Sequence, residues 1–192
     1  MGIQFIQIPR KFLGMNKGTK FLDVLVYAAL DNQKDANKSR ISVRTIAKKY
    51  NISLSKVENA IKRLKEAGYI DYTQHSVEGK DYVFNEYTFP VLKDKCGFLM
   101  LKSDILFQKL KPKERGLLIY LQLIAMPGLN ELAETKIEDI ASRLKITRQT
   151  TSKYLKYFEG INQITKGKYF YKCHYLATEK VLAKKKEEMI IL

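Results

Sequence analysis

With 192 residues, 45% of them hydrophobic, the chain has room for one large or two small domains and enough apolar side chains to bury a core, so a globular protein is expected. Its 35 lysines and arginines against 20 aspartates and glutamates leave a formal charge of +15, which points to a polyanionic partner. The excess is shared, with 15 basic and 9 acidic residues up to Leu92 and 20 and 11 after it, which excludes a detachable basic tail as its source.

Met1 to Pro9 lacks the basic region and long apolar stretch of a secretory signal, and no apolar run reaches bilayer-spanning length, so a soluble cytoplasmic protein is expected. Phe5 to Ile8 reads as a strand or extended arm ended by Pro9. Thr19 then offers an N-cap to a helix whose Phe21, Leu22, Leu25, Val26, Ala29 and Leu30 fall on one stripe. The polar segment from Asp31 to Arg40 reads as a loop. Ser42 caps a second helix holding Ile46, Ala47 and Tyr50, and Asn51 breaks it, because asparagine tolerates the left-handed conformation of a tight turn. Ser53 caps a third helix with Val57, Ala60, Ile61 and Leu64 inward and Gly68 at its C-terminal end. Aromatic and β-branched residues then take over, and Tyr69 to Gln74 with Tyr82 to Phe89 form a hairpin around 75–81.

Residues 93–97 are a short polar joint, which makes 1–92 one domain and 98–192 a second. The second repeats the plan: extended Phe98 to Leu101, helices at about Pro112 to Ala125, Ile137 to Leu144 and Arg148 to Glu159, and a hairpin turning at Lys166, Gly167 and Lys168. A last helix starts near Thr178 and ends in Met189, Ile190, Ile191 and Leu192. The repetition is in the residues as well as in the plan. TIAKKYNISLSKVENAIKRLKEAG, from Thr45 to Gly68, returns 94 positions later as DIASRLKITRQTTSKYLKYFEG, from Asp139 to Gly160. Ile46 and Ala47 align with Ile140 and Ala141, Ile52 with Ile146, Ser53 with Thr147, Ile61 with Leu155 and Leu64 with Phe158. Upstream, at a spacing of 93, Phe5, Ile6 and Ile8 align with Phe98, Leu99 and Leu101, and Tyr27 with Tyr120. A period this long predicts two similar domains instead of a solenoid.

Helix, helix, tight turn, helix and hairpin in that order resembles the winged-helix variant of the helix-turn-helix fold, here in tandem. The stretch IAKKYNISLSKVENAIKRLKEAGYI carries the resemblance best: Ala47 lets two helices approach, Ile52 plugs the turn, and Val57 and Ile61 anchor the third helix. The implied class is mainly α with small β-hairpin wings, an α+β fold of two tandem winged-helix domains. Such domains occur in bacterial transcription regulators and in phage and plasmid replication proteins, where the third helix enters the major groove and the wing touches phosphate or minor groove. The resemblance implies a sequence-specific double-stranded DNA-binding protein, first of all a transcription regulator acting by occupying its operator. Alternatives are a plasmid or phage replication initiator, and a protein-interaction module such as a helicase loader.

Helical geometry selects the same faces. With Val57, Ala60, Ile61 and Leu64 inward, Ser55, Lys56, Asn59, Lys62 and Arg63 point outward, and in the second copy the outward set is Arg148, Gln149, Thr150, Ser152, Lys153 and Lys156. Asparagine can address adenine and arginine guanine through paired hydrogen bonds, whereas lysine and serine hold phosphates. The second set is the better reader, since Arg148 and Gln149 lie in the first helical turn and no acidic residue follows within the helix until Glu159. Glu58 in the first copy repels phosphate unless it accepts from a cytosine amino group. Lys166 and Lys168 make the second wing tip a phosphate contact, while His75, Glu78, Lys80 and Asp81 leave the first nearly neutral.

Exposed lysines and arginines are usually just solvated surface; two aligned basic helices, each after a turn and before a hairpin, favour DNA contact. Tyr169, Tyr171, Cys173 and Tyr175 alternate onto one strand face, expected to be core and not a base-stacking platform. Val181, Leu182 and Met189 give the last helix an apolar side, either a cap on its own domain or a homodimer contact. No catalytic role, cofactor, metal or small-molecule ligand is expected. His75 and His174 lack the spacing of a metal site, Cys96 and Cys173 are too few and too distant for a disulfide framework or metal knuckle, and no phosphate-binding glycine loop exists. Glu138 and Asp139 are expected only to complement the dipole at the start of their helix.

Overall fold

The computed structural model describes residues 4–14, 21–35, 38–76, 83–90, 97–125, 131–132, 136–167 and 171–175. Thr19, Cys96, the tip of the first hairpin, most of the joint, Lys168 and the last helix, with the dimer contact expected of it, lie outside those residues. The fold is α+β, with helices and small antiparallel sheets. Contacts divide it into two units, Met1–Ile119 and Tyr120–Leu192.

The first unit opens with β1 (Phe5–Pro9) and a 3-10 turn, Arg10–Gly14. Next comes α1 (Phe21–Asp31), in which every side chain from Asp23 onward is buried. The sequence leads one to expect a single apolar stripe. Burial is all round because α1 is packed by β1, by the helices and strand that follow it and by a second 3-10 turn at Ser103–Phe107. Asp31, at the end of α1, accepts from Gln7 N (2.7 Å) and from Lys34 Nζ (2.8 Å), which fastens β1 to the helix. Burial pushes the Asp31 carboxyl up despite the lysine. Phe12 stacks on Tyr69 at 4.2 Å and meets the edge of Tyr27 at 5.3 Å, forming an aromatic part of the core.

The expected loop after α1 is instead β2 (Lys34–Asp35) and β3 (Lys38–Ile41). The Lys-Ser-Arg-Ile run alternates exposed and buried, but one of its two inward residues is a serine, so the hydrophobic period is hidden. After α2 (Val43–Lys49) and α3 (Leu54–Glu66) come β4 (Asp71–Ser76) and β5 (Val83–Thr88), and the sheet order is β2-β3-β5-β4. The hairpin is therefore backed by a strand lying between the first and second helices.

Between α2 and α3 the backbone makes the turn the residues predict. Ser42 Oγ accepts from Thr45 N at 3.1 Å, Asn51 is left-handed at φ 50°, and Ile52 N donates to Ala47 O at 2.9 Å. Val57, Ala60, Ile61 and Leu64 are buried, and Gly68, at φ 71°, lets Tyr69 N reach Leu64 O at 2.9 Å. Ser53 sits at the N-cap of α3 with extended backbone, but its side chain makes no capping bond.

β6 (Phe98–Lys102) pairs antiparallel with β1, Phe5 opposite Lys102 and Pro9 opposite Phe98. Ser103 N to Gln4 O (2.9 Å) and Arg10 N to Gly97 O (3.1 Å) close the two ends, and each bond is the other displaced by 93 positions on both partners. β6 and β1 belong to the same unit, and the division between the two units falls within α4 (Pro112–Ile124). At the start of α4, a Cβ added to Gly116 would lie 1.9 Å from Phe21 O, so only glycine lets the helix backbone meet the first turn of α1.

The second unit holds β7 (Glu131–Leu132), α5 (Ile137–Leu144), α6 (Arg148–Gly160), β8 (Ile164–Lys166) and β9 (Tyr171–Cys173), with sheet order β7-β9-β8. Its turns reproduce those of the first at a spacing of 94. Lys145 is left-handed at φ 54°, Ile146 N donates to Ala141 O at 3.2 Å, and Gln163 N donates to Phe158 O at 2.8 Å. The left-handed residue after α6 is Asn162 at φ 56°, which stands 94 positions after Gly68, whereas Gly160 is still helical. Asparagine replaces glycine there because its short polar side chain also tolerates that conformation.

Candidate nucleic-acid interface

On α3, Ser55, Lys56, Asn59 and Lys62 are exposed, as helical geometry predicts. Asn59 folds back so that its amide Nδ2 donates to Ser55 O at 2.8 Å, and Lys62 lies 4.0 Å from Glu66 while remaining 75% exposed. The outward expectation for Arg63 needs correction. Its Nε donates to Asp23 Oδ2 at 2.8 Å and its NH2 bonds Asp23 Oδ1, across 40 residues of sequence. Asp23 is wholly buried, so the guanidinium is turned inward to compensate a carboxylate that water cannot reach. Lys65, just beyond, is held by Asp71 at 2.8 Å and lies over the Tyr72 ring.

On α2, Arg44 and Lys48 are exposed cations that reading only the third helices missed. They could have been found by placing Ile46 and Tyr50 inward and asking what remains outside.

On the first hairpin one carboxylate engages two cations of the strand behind it. Glu86 on β5 accepts from Lys38 Nζ and Arg40 Nε on β3, both at 2.7 Å. The hydrogen bond from Lys38, then that from Arg40, holds the Glu86 carboxyl down to about 2.

α6 carries the densest polar face. Thr147 caps it, its Oγ1 accepting from Thr150 N at 3.2 Å and donating to Thr150 Oγ1 at 2.8 Å. Thr150 is thereby tied into the cap, half-buried, instead of standing free. Gln149, Lys153 and Lys156 are exposed and Ser152 is half-buried. Together with Ile137, Thr147 and Arg148 they line one open groove of about 840 Å³. Five of the expected reading residues thus share a concavity that begins at the N-terminal turn of α6. Arg148 Nε is 2.9 Å from Glu138 Oε1 on α5, a role for Glu138 beyond the helix dipole.

In the second hairpin Lys166 is exposed at the end of β8. Tyr171, Cys173 and Tyr175 are buried, the core face that their alternation predicts. Desolvation pushes the Cys173 thiol up to about 12, so it stays protonated and unreactive at neutral pH. Among the described residues, no group of three His, Cys, Asp or Glu side chains is placed to hold a metal ion, and no helix is long and apolar enough to cross a membrane.

A family model described as a helix-turn-helix domain matches residues 23–70, the stretch that contains most of α1, then α2, the left-handed turn at Asn51 and α3. The match thus falls within the first unit and covers its helix, turn and helix. Comparison with curated proteins and with solved structures found no match.

Proposed function

We propose that this protein binds double-stranded DNA sequence-specifically through two winged-helix segments and regulates transcription by occupying a promoter. The observation that carries the reading is the recurrence, 94 positions after the matched helix-turn-helix, of its turn bond and exit bond, at Ile146 N to Ala141 O and Gln163 N to Phe158 O. In both copies the helix that follows the turn presents an exposed basic and amide face. Arg148 and Gln149, in the first turn of α6, reach base edges in the major groove, and Lys153 and Lys156 take flanking phosphates. Ser55, Lys56, Asn59 and Lys62 serve the neighbouring segment through α3. Lys166 takes the phosphate expected at the second wing.

A second use of the same surface is replication initiation. Plasmid and phage replication initiators resemble this chain in having two winged helices and an opening like FIQIPRKFL, whose first five residues here form β1. Selection of bound sequences from random duplex DNA, with affinity followed from low to physiological salt, tests the reading. A recovered motif with two half-sites supports it; a motif repeated beside an origin indicates initiation, and one lying in a promoter indicates regulation. Absence of duplex binding at low salt overturns it and leaves the two helix faces as surfaces for a protein partner.

A further inference from the structure

The contact between Glu138 and Arg148 is the feature of the groove that neither the fold nor phosphate attraction accounts for. Both side chains are largely exposed, 54% and 72%, and an ion pair so open to water contributes little to stability. The carboxylate also opposes phosphate binding, since it engages Arg148, a cation that lines the groove together with Lys153 and Lys156. At the positions 94 earlier stand Arg44 and Leu54, so the first segment folds the same turn without such a pair.

Geometry gives the pair a purpose. Arginine has a long, flexible stem, and a bidentate contact to guanine O6 and N7 needs its planar fork held in one orientation. Glu138, fixed in the first turn of α5, takes Nε at 2.9 Å, and a guanidinium held there still has its terminal NH1–NH2 edge to offer.

We propose that Glu138 is a positioning residue that orients Arg148 for a guanine in the major groove, exchanging general phosphate affinity for discrimination at one base pair; this rests on the DNA-binding reading above.

The test measures binding of the full chain to the selected duplex and to single-base variants of it. Arg148→Ala first identifies the base pair concerned. Glu138→Ala is expected to reduce the preference at that same pair roughly five- to tenfold, to leave other positions unchanged, and to raise affinity for unrelated duplex. Glu138→Gln, which keeps an acceptor for Nε without the charge, is expected to restore most of the preference. If Arg148→Ala flattens one position while Glu138→Ala leaves it intact, the positioning role is overturned and the DNA reading stands. If the unmodified protein shows no preference at any position, both fall together.

Discussion

Arg63 is a surface arginine whose value lies in a neighbour that cannot reach water. Removing the guanidinium takes from Asp23, which is wholly buried, the two hydrogen bonds that Arg63 donates. Arg63→Ala is therefore expected to lose about 3 kcal/mol of stability, read from urea unfolding, with the DNA site intact in what remains folded. A loss within about 0.5 kcal/mol, combined with weaker DNA binding, would return Arg63 to the outward face. Glu86 makes a prediction in pH. Its carboxyl is held at about 2 in the folded chain against 4.5 unfolded, so its pairing with Lys38 and Arg40 contributes fully above about 4.5 and is lost as pH falls toward 2. Between pH 5 and pH 3 the melting temperature should fall further in the native sequence than in Glu86→Gln. Equal falls would show that Glu86 is not held down.

Elements here are joined at a few points where the backbone itself makes the contact. Gly116 is such a point, because a Cβ there meets Phe21 O at 1.9 Å and a carbonyl on the first turn of a helix cannot swing aside. Gly116→Ala should cost about 3 kcal/mol or more, despite alanine's better helix propensity, and a neutral result in thermal unfolding would mean that α4 can slide on α1. In α6 the same exposed face divides by chemistry. Lys153→Ala with Lys156→Ala should weaken binding to all duplexes alike and flatten the salt dependence by about two, whereas Arg148→Ala should act at one base pair. Titrations from low to physiological salt separate the two outcomes.

For the whole molecule, the charge of +15 is distributed, and Glu86 on the first hairpin engages two of the cations, Lys38 and Arg40. Affinity for duplex is therefore expected to be carried more by α6 and its groove than by the first hairpin and the strand behind it. Removing both charges at Lys38 and Arg40 should change the salt dependence less than the two α6 substitutions do, measured on the same duplex. The opposite ranking would place the main contact on the first unit.

The helix-turn-helix core could be read from the residues because its signals are local. The Asn51 break, the Gly68 exit and the Val57, Ala60, Ile61 and Leu64 stripe depend on neighbours within one or two turns of chain, and the repeat made the second turn legible although Lys145 is a poor sign of a left-handed residue. The sequence by itself thus determined where the turns and buried faces lie, and that an excess of positive charge is left outside. Tertiary structure alone decided which of those charges are engaged. Arg63 finds Asp23 40 positions away, Lys38 and Arg40 find Glu86 across a strand hidden by its polar residues, and β1 finds β6 across most of the first unit. Such pairings follow from how packed elements bring distant residues together, and a helical or strand period, which repeats every few residues, carries no record of them.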